Sequence, residues 1–162
     1  MTVNTSQDDE KFLALAVELS RKKMHAGTGG PFGAIIVRDG KILAEGWNEV
    51  TTSNDPTAHA EVSAIRRACT AVGDFSLKGA TIYSSCEPCP MCLASVYWAR
   101  LDRLVFANSR DQAAAIGFDD AAIYEEVGKP ISDRSIPTLH LPLPDAEAVF
   151  QEWTLKEDKV PY

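Results

Sequence analysis

Basic side chains are in the minority in this chain: 16 lysines and arginines stand against 23 aspartates and glutamates, giving a formal net charge of −7 and a pI near 4.9. Affinity for nucleic acid comes largely from lysine and arginine neutralising phosphates, so no broad nucleic-acid surface is expected. Long apolar runs are missing too. The polar, acidic residues 1–10 contain no hydrophobic stretch, and neither a secretory leader nor a membrane span is expected. Cysteine is scarce, at four, and three of the four fall in one short stretch. That is not the spacing of a disulfide framework, and a reducing cytoplasm is the expected home. No repeat, low-complexity tract or linker divides the 162 residues, which suit one domain, 1–162.

What the chain does contain is concentrated in two places, Asp55-Pro56-Thr57-Ala58-His59-Ala60-Glu61-Val62 and Ser85-Cys86-Glu87-Pro88-Cys89-Pro90-Met91-Cys92. Zinc favours nitrogen and thiolate ligands in a tetrahedron, and catalytic sites use three protein ligands so that the fourth position stays open to water. His59, Cys89 and Cys92 supply such a set. Cys89 and Cys92 are three apart, so on a helix they share a face. Pro90 fits a first helical turn, and a helix N-terminus favours the thiolate form. Glu61, two residues from His59, is turned off the ligand face of a regular helix and reads as a proton carrier beside the metal. His-x-Glu followed by Pro-Cys-x-x-Cys resembles the signature of zinc-dependent base deaminases.

Cys86 leaves an alternative open. Together with His59, Cys89 and Cys92 it could complete a closed Cys3His structural site with no place for water. Against that, Cys86 precedes Pro88 and belongs to a strand end, and a closed site would leave Glu61 without a task.

The remaining pattern predicts a layered α/β domain. Residues 6–24 read as a helix, with Ser6 and Asp9 as a capping pair and an apolar stripe of Phe12, Leu13, Ala16, Val17 and Leu19. Residues 34–38 and 42–47 read as a hairpin turned by Asp39-Gly40. A helix over about 58–71, burying Val62, Ile65 and Cys69, precedes a strand at 80–84. The cysteine motif then leads into a helix to about 99, followed by a strand at 104–107. Residues 138–141 read as an edge strand, and 145–157 as a last helix capped by Asp145. The basic clusters Arg21-Lys22-Lys23 and Arg66-Arg67 fall in what read as final helical turns, where cations complement the helix dipole.

Further stretches extend the likeness: Gly29-Gly30-Pro31-Phe32-Gly33-Ala34, Tyr97-Trp98-Ala99-Arg100, Gly117-Phe118-Asp119-Asp120 and terminal Tyr162. With the two motifs above, they resemble the bacterial guanine deaminases of the cytidine/deoxycytidylate deaminase superfamily over nearly the whole chain. The resemblance implies a three-layer α/β/α sandwich around a five-stranded mixed sheet. It also implies one Zn2+ per subunit and hydrolysis of the small-molecule purine guanine to xanthine and ammonia. His59, Cys89 and Cys92 match the zinc ligands, and Glu61 matches the proton shuttle. Phe32 matches a residue stacking on the purine, Asn48 a purine-binding amide, and Asp120 a second acid in the site. Tyr162 matches a tyrosine that closes the pocket through a tail, about 145–162, exchanged between the subunits of a homodimer. Trp98 stands between two expectations, core packing or the pocket wall. Ala94-Ser95-Val96 departs from a Gly-Ala-Ile-type segment, which bears on the shape of the pocket and not on its chemistry.

Rival readings share the zinc chemistry. A tRNA-specific adenosine deaminase has similar motifs, but a basic tail would be expected in place of the acidic one here. Guanosine, cytosine or an aminotriazine would need different pocket walls. An inactive zinc module would have no use for Glu61.

Overall fold

The computed structural model describes residues 7–162; the expected Ser6 cap lies outside them. The chain divides into two compact units, Met1–Asp120 and Ala121–Tyr162.

In the first unit, α1 (Gln7–His25) leads to the hairpin β1 (Gly33–Arg38) and β2 (Lys41–Trp47), followed by a single turn, α2 (Val50–Ser53), and α3 (Ala60–Val72). Then come β3 (Thr81–Cys86), α4 (Pro90–Trp98), β4 (Arg103–Asn108) and the short α5 (Arg110–Ala114). Strand order is β2-β1-β3-β4; β1 runs antiparallel to both neighbours and β3 parallel to β4, so the sheet is mixed.

Alternation along β1 explains the layers. Ala34 and Ile36 face the core beneath α3 and α4, where Ala60, Ala64, Ala68, Ile82 and Val96 pack. Ile35 and Val37 face the opposite way, against Phe12, Ala16 and Leu19 of α1. Both faces of a central strand are therefore buried, and one helical layer covers each side.

The buried stripe of α3 differs from expectation. Its fully buried positions are Ala60, Ala64 and Ala68, spaced four apart, while Ile65 and Cys69 pack at the margin. Small side chains let the helix lie close to the sheet. Gly46 of β2 makes the same allowance: a Cβ there would stand 2.2 Å from the Ala60 carbonyl oxygen and 2.3 Å from the Ala64 nitrogen.

On the other face, the Asp9 carboxylate of α1 is buried beneath Arg103, which holds it through two contacts of 2.6 and 2.9 Å, and it accepts the Tyr83 hydroxyl at 2.8 Å. Other cations are also engaged. Lys23 and Arg67 lie 3.4 and 4.1 Å from the centroid of the Trp47 ring, and Arg67 pairs with Glu49 at 2.5 Å. Arg66 and Arg67 sit mid-helix rather than in a last turn.

The second unit contains α6 (Ala121–Gly128), a 3-10 turn at Ile131–Asp133 and α7 (Pro144–Leu155). Two expectations are corrected. Residues 138–141 form no strand, so the sheet has four strands among the described residues, not five. Pro137 and Pro142 bracket this tetrapeptide, and a period-two pattern makes a strand only where an edge is available to pair with. Asp145 does not cap the last helix; Pro144 begins it one residue earlier, and Leu143 holds the cap position. Among the described residues, no helix is long and apolar enough to cross a membrane.

Candidate active site

Two helix N-termini set the frame. His59 is the N-cap of α3 and Cys89 the N-cap of α4, both in extended backbone; Pro90 starts α4, and Cys92 lies within its first turn. The helix expected over 58–71 therefore begins after His59. That leaves the imidazole on extended chain, from which it reaches across to the cysteines.

His59 Nδ1 lies 3.6 Å from Cys89 Sγ and 3.5 Å from Cys92 Sγ. For a tetrahedral ion with Zn–S of about 2.3 Å and Zn–N of about 2.05 Å, the S···N edge is about 3.5 Å. The imidazole and thiol donors are thus spaced to share one zinc ion. Among the described residues, the group of donors able to hold an ion comprises His59, Cys89 and Cys92, all within 4.8 Å of one another. Cys86 is not in it. Cys86 ends β3 with its thiol directed at the Ser109 carbonyl, 3.7 Å away, which leaves the fourth ligand position without a protein donor.

Glu61, in the first turn of α3, is buried beside this group. Burial pushes its carboxyl above the usual range, and its own backbone N–H partly offsets this. The thiols divide: the hydrogen bond from Cys92, reinforced by His59, pulls Cys89 down to about 4, while donating that bond and being buried push Cys92 up. His59 is raised, chiefly by its bond to Cys89.

The other expected residues take the following positions. Asn48 is buried immediately after β2; its backbone N–H donates to the Phe32 carbonyl at 3.1 Å, and its side-chain Oδ1 accepts the Val50 N–H at 3.3 Å. Gly29 is held at φ +157, and a Cβ there would stand 1.6 Å from the Asn48 carbonyl oxygen, so the loop rests directly on Asn48. Phe32 meets Phe118 edge to face, centroids 4.8 Å apart at 89°. Burial and the nearby Cys89 thiolate push the Asp120 carboxyl up, with Arg110 opposing. Trp98 is 61% exposed, which excludes the core alternative. Tyr162 is exposed and belongs to the second unit.

Two contacts went unread in the sequence. Ser84 donates its hydroxyl to Glu61 Oε1 at 3.3 Å, and Phe118 packs on Phe32. The paired serines Ser84-Ser85, at the end of a strand leading into the cysteine motif, were the available signal for Ser84. Phe118 lay in a quoted motif in which the acids drew attention.

A three-donor group able to hold a metal, beside a buried acid, is equipment suited to a metal-dependent hydrolase. The zinc-binding region of cytidine and deoxycytidylate deaminases matches residues 6–108, and the chain belongs to that family. It is 51% identical to a guanine deaminase of Bacillus subtilis over 94% of this chain and 98% of that one. A solved guanine deaminase from Bacillus subtilis superposes with a TM-score of 0.93, at 49% identity, covering 98% of this chain and 99% of the other. A tRNA-specific adenosine deaminase of Haemophilus influenzae is 40% identical over 71% of this chain and 69% of its own length. Zinc is the cofactor of the family, and the donor set here fits it.

Proposed function

We propose that this protein is a cytoplasmic, zinc-dependent guanine deaminase that hydrolyses guanine to xanthine and ammonia. The observation that carries the reading is the end-to-end likeness to the Bacillus subtilis guanine deaminase, which extends beyond the zinc region into the second unit. The likeness to the Haemophilus influenzae tRNA-specific enzyme covers less of the chain, and the net charge of −7 is unsuited to gripping an anionic RNA.

In this reading His59, Cys89 and Cys92 hold the ion. When bound, zinc acidifies water toward a pKa of about 7 and so provides the nucleophile at neutral pH. Glu61 takes one proton from water and passes it to the purine ring nitrogen, then takes the second proton from the hydroxyl newly added to the ring carbon and passes it to the departing amine, ending as a carboxylate. Its burial favours accepting the proton. Phe32 stacks on the purine, with Phe118 behind it. With Asn48 Oδ1 engaged by Val50, the amide NH2 is the end that donates to an acceptor on the base. Asp120 receives a guanine N–H. Trp98 forms part of the pocket wall.

The single domain 1–162 works as a homodimer in which the segment from about 145 is exchanged and Tyr162 closes the partner subunit's pocket. Leu139, Leu141, Phe150, Leu155 and Tyr162 stand exposed in the second unit, an apolar content suited to burial against another copy.

Ammonia release by zinc-loaded protein, with guanine, guanosine, adenine, cytosine and a tRNA anticodon stem-loop in parallel, tests the assignment. Guanine is expected to be the preferred substrate. Preference for another would keep the metal chemistry and overturn the specificity.

A further inference from the structure

We propose that Ser84 is a positioning residue for Glu61: its hydroxyl holds one carboxyl oxygen, Oε1, and so fixes the orientation in which the carboxyl works. The inference rests on the deaminase reading of the site.

A carboxyl group withdrawn from water requires hydrogen-bond donors for its oxygens. Glu61 is only 6% exposed, and one donor is its own backbone N–H. The Ser84 hydroxyl, 3.3 Å from Oε1, is another. Ser84 is 2% exposed and lies inside β3, paired with Ala34 on β1 and Phe106 on β4. Its place is therefore fixed by a strand hydrogen-bonded on both edges, while Glu61 comes from a helix packed above the sheet. A side chain with several rotatable bonds is thus tied to the most constrained backbone near it.

The chemistry of a hydroxyl suits this task. Ser84 can donate to Oε1 when Glu61 is an anion and equally when a proton sits on Oε2, so the bond survives both halves of a shuttle. In each cycle Glu61 gains and loses a proton twice, once from water to the ring nitrogen and once from the added hydroxyl to the departing amine, and the serine proton stays where it is. Without the hydroxyl, Glu61 keeps its burial and its contacts with its own backbone N–H and the Cys92 thiol but loses its tie to the sheet.

Two substitutions in the full-length, zinc-loaded protein test this: Ser84→Ala, which deletes the hydroxyl, and Ser84→Thr, which keeps it on a side chain suited to a strand. In Ser84→Ala, kcat for guanine is expected to fall about 10- to 100-fold, the range for a removed supporting contact. KM should stay within about threefold, since the lost interaction acts on the chemical step. Ser84→Thr should restore most of kcat, and zinc content should be unchanged in both variants. Crystals of zinc-loaded Ser84→Ala should show the Glu61 carboxyl turned from its position in the zinc-loaded wild type. Wild-type kcat in Ser84→Ala, equal losses in the Ala and Thr variants, a change confined to KM, or an unmoved Glu61 would each overturn the proposal. Should the wild-type protein release no ammonia from guanine, the substrate reading falls, and the position of Glu61 in the variant crystals decides the role of Ser84 by itself.

Discussion

His59 and Cys89 hold the same station in two helices: each is the residue immediately before a first turn, and Nδ1 of one lies 3.6 Å from Sγ of the other. Two N-termini, each equivalent to about half a positive charge, thus converge on one spot. Such a field favours thiolates, and it eases the burial of the Glu61 carboxylate in the first turn of α3. Cys89 already lies near 4, so it is ionised at neutral pH before any metal arrives. Cys92 is not, because it is held up by donating to Cys89.

Zinc uptake must therefore expel protons. A thiol whose pKa is raised remains protonated at neutral pH, and so does a larger share of a raised imidazole, so both push affinity in one direction. Affinity is expected to climb with pH, by about tenfold per unit for each proton released. Calorimetry of zinc binding in buffers of differing protonation enthalpy counts those protons directly. A pH-independent affinity would show that Cys92 is ionised beforehand.

Glu61→Gln is expected to keep the fold and the zinc while turnover drops by about two to four orders of magnitude, the usual worth of a positioned acid–base group. Metal analysis alongside steady-state ammonia release separates this from simple loss of the ion. Comparable activity in the variant would remove Glu61 from the mechanism.

Removal of residues 160–162 should impair guanine turnover and leave zinc content as it was, because Tyr162 is assigned to the pocket and not to the metal. Unaltered kinetics in the truncated protein would rule out a closing tail.

On the opposite face of the sheet, burial and the bond to Asp9 push the Tyr83 phenol up to about 12. In the unfolded chain it ionises near 10, so above that pH the unfolded state holds fewer protons than the folded one, and stability falls as pH rises. The loss should reach about 2 to 3 kcal/mol by pH 12. Urea unfolding from pH 8 to 12 should show this decline in the wild type and a flatter one in Tyr83→Phe. That variant begins about 1 kcal/mol lower for want of the bond to Asp9.

Gly46→Ala is expected to cost about 1 to 3 kcal/mol, since the added methyl must displace the α3 backbone. Because α3 begins just after His59, zinc affinity should weaken in parallel; a stability loss with unchanged affinity would show that the helix start is held from elsewhere.

What could be read in advance followed from how local each signal is. Asp39-Gly40 sets the hairpin by its own backbone preference, and Pro90 marks the start of α4 wherever that helix packs. Spacing alone brings Cys89 and Cys92 together, and His59 joins them across thirty residues through the resemblance of His-x-Glu and Pro-Cys-x-x-Cys to the deaminase signature. The Ser84–Glu61 and Phe32–Phe118 contacts depend on how strands and helices stack, which periodicity does not encode. The start of α3 was misplaced for a related reason: His59 is not a residue that caps by hydrogen bonding, and it holds the N-cap position with no side-chain cap. Residues 138–141 had the alternation of a strand, but pairing needs an edge, and that depends on the assembly as much as on the sequence.

An ion held, as proposed, by residue 59 at one end and by residues 89 and 92 at the other would also serve as a cross-link. It encloses α3, the turn after it and β3 in a loop of 30 residues. Closing a loop of that size removes about 3 to 4 kcal/mol of chain entropy from the unfolded state, as a disulfide would. The restraint lies on the α3–α4 face of the sheet, whereas α1 is secured to the other face by Phe12, Leu19 and the Asp9–Arg103 pair. The protein is thus stapled on one side and wedged on the other, and only the staple can be withdrawn by a chelator. Metal supply would then bear on the stability of the folded chain as well as on its activity.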